Sequence, residues 1–430
     1  MGATTESTSM TVLGFPAHHA RAAAIGEVHS RPHPLLSSPR LLIQFAFVTE
    51  GGAVVDHAAL VELCRRQGLP APDRSARHHI MRWGNGNLYW ERHSEFSTYM
   101  WEAPLNSARH WKQDSPFGEA FNPPGPMMSG VRLEIRSAET EKGAVELDPE
   151  SLCNSSVEDG KASILTDFRQ DGDGLTRLFI IDRGLTDERR GALAQLLIEI
   201  ETYRVFCMLG LPLAQSLSGQ LRKMEDNLAD LTNKMRDKGD RDNEGLLRHL
   251  TELAAELEAQ AASSLFRFGA SRAYYEIVTE RLLALKEVPH EGAEGWTQFL
   301  IRRVAPAMRT CRSVEDRQAN LSRKLSRATQ LLRTWVDVEV EKQNRDLLAS
   351  MNNRARQQLR LQQTVEGLSI AAISYYVVGL VSYLTGGLPL LPAWLEPKTV
   401  TSISVPLVVL AMWFVMWRIR RAHQQETDGA

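Results

Sequence analysis

Along the first 184 residues the apolar positions follow the short period of strands, and from residue 185 onward they follow the period of helices. The run 41–48, LLIQFAFV, has the length and continuity of a buried strand, and 54–67 carries Val55, Leu60, Leu63 and Cys64 at helical spacing. HHIMRW, the turn GNGN and LYWERH predict a β-hairpin over 78–93, continued by EFSTYMW. Further strands are predicted over 131–136, 162–168 and 175–181, the last two separated by the turn residues DGDG. An α+β domain over 40–184 follows. Residues 1–39, with Pro16, Pro32, Pro34 and Pro39, are expected to be loosely ordered.

In the helical half, Thr186 is placed to cap a helix whose first turn holds Asp187 and Glu188. Leu217, Leu221, Met224, Leu228, Leu231 and Met235 form a heptad seam, and Leu246, Leu250, Leu253 and Leu257 form a second. The polar break DKGDRDNEG between them predicts the tip of an antiparallel helical hairpin within a region 185–313. A third run, 314–366, passes Leu321, Leu325, Ala328, Leu332 and Trp335, weakens, and resumes at Leu348, Met351, Ala355 and Leu359. With no Pro between Pro306 and Pro389, a continuous helix from 314 to 385 would be about 105 Å long, a stalk in coiled-coil style. Its heptads can pair with the preceding hairpin or with other subunits, and the pattern leaves both open.

Two stretches free of charge follow, 368–385 (LSIAAISYYVVGLVSYLT) and 400–417 (VTSISVPLVVLAMWFVMW). Each is roughly 27 Å of helix, close to the thickness of a bilayer's hydrocarbon core, and they predict a transmembrane hairpin over 367–421. Arg354, Arg356 and Arg360 precede the first span and Arg418, Arg420 and Arg421 follow the second, whereas the loop between holds Lys398 beside Glu396. The positive-inside bias therefore assigns both termini, including a tail 422–430, to the cytoplasm. Residues 1–10 have neither a basic n-region nor an apolar h-region, and Glu6 stands where myristoylation requires Ser or Thr.

Charge and composition narrow the chemistry. Lys plus Arg number 50 against 52 Asp plus Glu, a net charge of −2, which argues against a general nucleic-acid binder. Cys64, Cys153, Cys207 and Cys311 are far apart and form no CxxC pair, so neither a zinc knuckle nor a disulfide scaffold is indicated. There is no GxGxxG after a strand, no GxxxxGK[ST] and no GxSxG, so no enzyme is expected.

Nine of the twelve histidines lie within the first 110 residues. His29 and His33, in EVHSRPHPLL, and Glu91, His93 and Glu95, in WERHSEF, are the candidates for a metal site. On a strand, Glu91, His93 and Glu95 would share one face, and a divalent cation is the ligand such a face would take. A solvated face carrying ion pairs is the plainer reading, because no HExxH or other closed ligand spacing is present. In the first span, Gly367, Ser374 and Ser382 form a small, weakly polar stripe that serves helix packing or, in an oligomer, a pore. Glu366 stands at its cytoplasmic edge, where it would form an acidic ring or sit at the interface.

EVHSRPHPLL, RWGNGNLYWERHSEF, GLTRLFIIDRGLTDERRGAL, ETYRVFCMLGLPLAQ and TVEGLSIAAISYYVVGL resemble recurrent segments of a bacterial family of uncharacterised, predicted membrane-anchored proteins, over most of the chain. That resemblance implies the bacterial inner membrane and an architecture, with no established activity. The overall plan is also similar to CorA-type magnesium channels, which are pentamers with a cytoplasmic α+β domain, a stalk helix and two spans. Their Gly-Met-Asn filter is replaced here by Thr385, Gly386, Gly387 and Leu388. Three functions are thus expected in order: a non-enzymatic, lipid-anchored protein forming homo-oligomers through its heptads; a divergent CorA-like channel or transporter; and a histidine-dependent metal sensor or enzyme.

Overall fold

The computed structural model describes residues 11–13, 15–18, 21, 25, 33–49, 52–139, 147–237, 242–387 and 397–427. The chain divides into two units, Met1–Thr329 and Gln330–Ala430.

The first unit is built on a nine-stranded sheet. Strand β1 (Arg40–Val48) is its centre, and its apolar run is explained by burial on both faces. Leu41 and Ile43 join one core with Leu60 and Leu63 of helix α1 (Gly52–Arg66), while Leu42 joins the opposite core with Leu193 and Leu197 of helix α2 (Asp187–Cys207). Strands β2 (His78–Trp83), β3 (Gly86–Arg92) and β4 (Phe96–Pro104) form the predicted antiparallel ladder to one side of β1. On the other side stand β5 (Met127–Ser137), β6 (Cys153–Val157), β7 (Ala162–Thr166), β8 (Thr176–Asp182) and β9 (Val288–Pro289). The sheet order is β9-β6-β7-β8-β5-β1-β4-β3-β2, and only the β8–β5 pair is parallel.

DGDG does make a turn. The Asp171 carboxylate accepts from the amides of Asp173 and Leu175 at 2.9 and 3.0 Å, closing the connection from β7 to β8. Thr186 does cap α2, accepting from the Arg189 amide at 3.3 Å. A buried node sits beside this cap. Asp182 accepts from the amides of Gly184 and Leu185 and from Arg190 Nε at 2.8 Å, and Arg190 also donates to the carbonyls of Leu185 and Leu36. The node fastens the segment that precedes β1 onto α2.

Helices α3 (Gly210–Arg236) and α4 (Asn243–Leu285) form the hairpin, and both of its seams are buried. The predicted tip lies partly outside the described residues, which stop at 237 and resume at 242. Helix α5 runs Trp296–Gly387, so it starts well before the expected position 314. Pro306 lies inside it rather than before it. Gly292 and Gly295 stand in the preceding turn, and Phe299, Val304 and Ala307 are buried, which holds this part of the helix in place despite the Pro. The third seam is buried at Leu321, Leu325, Ala328 and Leu332, whereas Leu348, Met351, Ala355 and Leu359 are exposed.

The second unit contains the rest of α5 and helix α6 (Pro397–Thr427), which extends past the predicted boundary at 421. Each of these helices holds a window long and apolar enough to cross a membrane. The connecting loop falls outside the described residues at 388–396, as do 428–430 of the tail and most of the segment 1–39.

Candidate functional site

The candidate site lies in the first unit, in a cleft between α2 and the β3–β4 part of the sheet. Its floor is polar because Gln44, the one polar residue within the β1 run, is buried and donates to Thr202 Oγ1 at 2.9 Å. On the sheet side stand Tyr89, Glu91 and His93, and on the α2 side Gln195, Glu199 and Tyr203. The cleft is small, about 50 Å³, enough for a few waters or one small polar group.

A hydrogen-bonded relay runs along the rim. His33 Nδ1 donates to Gln195 Oε1 at 2.9 Å, Gln195 Nε2 donates to Glu199 Oε1 at 2.9 Å, and Arg281 Nε donates to Glu199 Oε2 at 2.6 Å. Opposite, His93 Nε2 lies 3.8 Å from Glu91 Oε2, an ionic rather than a hydrogen-bonding distance. The His93 ring stacks on Phe96 at 4.3 Å and meets Tyr203 edge-on at 6.2 Å, which fixes its orientation. Burial, with the Glu102 carboxylate, pushes the Tyr89 hydroxyl up to about 12, so it stays a neutral donor at physiological pH.

The structure brings Glu91 and His93 into one cleft, joins His33 to its rim through Gln195, and separates Glu95 from them. β3 ends at Arg92 and β4 begins at Phe96, so 93–95 form a turn closed by the His93 amide donating to the Phe96 carbonyl at 2.8 Å. The expected common face of Glu91, His93 and Glu95 is therefore broken. Glu95 is held instead by Arg267 of α4, through bonds of 3.1 and 2.7 Å. Burial, followed by hydrogen bonding to Glu95, raises the Tyr274 hydroxyl above its ordinary value. His29 lies outside the described residues. Among the described residues no group of three or more His, Cys, Asp or Glu side chains could hold a metal ion.

The relay residues on α2 escaped sequence reasoning, although a signal existed: Gln195, Glu199 and Tyr203 recur every four residues within a helix whose other face is apolar. The four cysteines are buried and free, and burial pushes the thiols of Cys153 and Cys207 up to about 12, so they are poor nucleophiles.

In the second unit the small stripe divides. Ser374 is buried, whereas Gly367 and Ser382 are exposed. Eight residues separate Ser374 from Ser382, a rotation of about 80° at 3.6 residues per turn, so they do not face the same neighbour. Glu366 accepts from Gln362 at 3.4 Å and lines a cavity of about 380 Å³ with Ser369 of α5 and Met412 and Met416 of α6.

The fold and cleft define a class: a mixed-sheet α/β unit followed by long helices, with apolar segments near the C-terminus. The chain belongs to the family described as a protein of unknown function (DUF3422), whose profile matches residues 16–423. No curated protein matches it.

Proposed function

We propose that this is a membrane-anchored, non-enzymatic protein of the bacterial inner membrane, with the sheet unit and both termini in the cytoplasm. The observation that carries the reading is exposure: only 6% of the most apolar window of α5, and none of that of α6, is buried within the protein. Leu368, Tyr376, Tyr383, Leu407 and Trp413 are all at least 60% exposed. A core helix of a soluble protein would hide these side chains, each gaining about 1.5–3 kcal/mol on leaving water, and a lipid environment supplies the same gain. The arginines at 354–360 and 418–421 support the orientation. Homo-oligomers form through the exposed apolar positions of α5, of which Leu348, Met351 and Leu359 are 58–64% exposed.

Topology is tested with cysteine reporters and a membrane-impermeant maleimide. Ala393→Cys is expected to react from the outer side in intact spheroplasts and Ala422→Cys only after lysis; the opposite pattern refutes the orientation. Full-length protein left in the supernatant after detergent-free ultracentrifugation refutes the anchor.

A second reading, a divergent CorA-like cation channel or transporter, is supported by the Glu366 cavity, whose carboxylate stands just before the first apolar segment in the chain. Cation flux into proteoliposomes above that of empty vesicles supports it, and its absence removes it.

A further inference from the structure

A basic stretch of the second unit lies where α5 approaches its apolar segment. Residues 347–365 contain Arg354, Arg356 and Arg360 and no Asp or Glu. Residues 418–425, directly after the apolar segment of α6, contain Arg418, Arg420 and Arg421 and again no acid. Arg354, Arg356, Arg360 and Arg418 are exposed, and among the described residues none of the four forms an ion pair or donates a side-chain hydrogen bond.

The helical period fixes where these charges point. Gln358, Gln362, Val365, Ser369 and Ile373 line the cavity opposite Met412 and Met416, so they mark the side of α5 turned to α6. At 100° per residue, Arg356 and Arg360 point about 160° away from the mean direction of those five, and they stand side by side one turn apart. Arg418 likewise points about 140° away from Met412 and Met416. Glu366, the acid that follows the arginines along α5, lines the cavity instead, about 100° from them. A second copy packed on Leu348, Met351 and Leu359 would sit about 110° from Arg356 and Arg360 and leave both uncovered.

The arginines also join apolar surface without a gap. Leu361 and Val365, 70% and 56% exposed, carry the apolar surface of α5 back to Arg360. Arg356 lies about 6 Å further on, and the polar layer of a bilayer is about 5–8 Å thick on each side.

From this juxtaposition we propose that Arg356 and Arg360 of α5, with Arg418 of α6, bind the headgroups of anionic phospholipids in the cytoplasmic leaflet. The inference rests on the membrane-anchored reading and names the lipid chemistry that reading leaves open. A guanidinium group pairs bidentately with the two free oxygens of a phosphodiester. In a zwitterionic lipid the choline or ammonium group cancels that negative charge, whereas in phosphatidylglycerol nothing does. Cations set directly against exposed apolar side chains match a phosphate joined to acyl chains, a combination that neither a nucleic acid nor an acidic protein presents.

The test reconstitutes the full chain into nanodiscs of equal phosphatidylglycerol and phosphatidylcholine and identifies the lipids it retains on release by native mass spectrometry. Phosphatidylglycerol is expected to be enriched about fivefold or more, the size of one arginine's attraction to an anionic surface. Arg356→Gln combined with Arg360→Gln should return the retained lipids toward the ratio of the disc. Lys342→Gln combined with Arg345→Gln removes the same charge about 22 Å further from the apolar segment and should leave the enrichment intact. The inference alone is overturned if the chain enters the disc but retains both lipids equally, if the Arg356 and Arg360 variant keeps the enrichment, or if the Lys342 and Arg345 variant loses it as fully. A chain that enters neither this disc nor one of phosphatidylcholine alone refutes the anchor itself, and the inference with it.

Discussion

Gly191→Ala sets two physical effects against each other. Gly191 is the fifth residue of α2, and replacing an interior helical Gly by Ala ordinarily stabilises by about 1 kcal/mol. Here the added Cβ would lie 1.6 Å from the carbonyl oxygen of Pro34 and 2.9 Å from its carbon, both backbone atoms. The segment 34–36 must move. Displacing it exposes Leu36, now fully buried, at about 1.5–3 kcal/mol. It also breaks the bond from the Leu36 amide to the Asp187 carbonyl and that from Arg190 to the Leu36 carbonyl, together about 2–4 kcal/mol. After subtracting the propensity gain, the net loss is about 2.5–6 kcal/mol. Unfolding of a unit of about 330 residues carries an entropy near 0.7 kcal/mol/K, so the melting temperature should fall by about 4–9 °C. Circular dichroism melting of the detergent-solubilised chain measures this, and hydrogen exchange should show segment 33–36 opening first. An unchanged or raised melting temperature would mean that Pro34 does not lie against α2, and the wall it gives to the cleft would go with it.

Other consequences are equally open to measurement. Burial pushes the Asp182 carboxyl up, but the amides of Leu185 and Gly184 and the Arg190 guanidinium more than offset this and leave it below its ordinary value. Its contribution to stability is therefore full above the unfolded value near 3.9 and is lost as pH falls through the native one; the melting gap between wild type and Asp182→Asn should close in acid, and a gap that widened would reverse the sign. Cys153 and Cys207 should resist iodoacetamide at pH 8 until denaturant is added, as mass spectrometry of the alkylated chain will show. Leu325→Pro, at a buried position of α5, should cost about 3 kcal/mol or more, and unchanged melting would contradict a helix there.

The parts of this fold that were legible in the sequence are those whose signal is local. LLIQFAFV, the GNGN hairpin, the Thr186 cap and the seams of α3 and α4 each announce themselves within one element. CNSSV, which forms β6, has three polar residues in five and owes its strand conformation to pairing with β7; β9 is two residues long and exists only as a partner of β6. The start of α5 was hidden by Pro306, which reads as a breaker where packing overrides it. The candidate cleft was half visible. Its histidines and Glu91 stand out by residue type, but their meeting with α2 depends on contacts more than 100 residues apart, and the turn at 93–95 that redirects Glu95 leaves no hydrophobic trace.

One stretch of α5 stands apart in how it is supported. Every residue from 341 to 360 is exposed in the single chain, so until a second copy covers Leu348, Met351 and Leu359 the helix there rests on its own backbone bonds and on local pairs such as Arg345 with Glu341, 2.5 Å apart. Such a span opens at low cost. It also carries Lys342, Arg345, Arg354, Arg356 and Arg360, each a trypsin-type recognition residue. In the unassembled chain, a single proteolytic nick in this exposed stretch would part residues 1–329 from the apolar helices without cutting through the hydrophobic core of the first unit, a built-in point of severance.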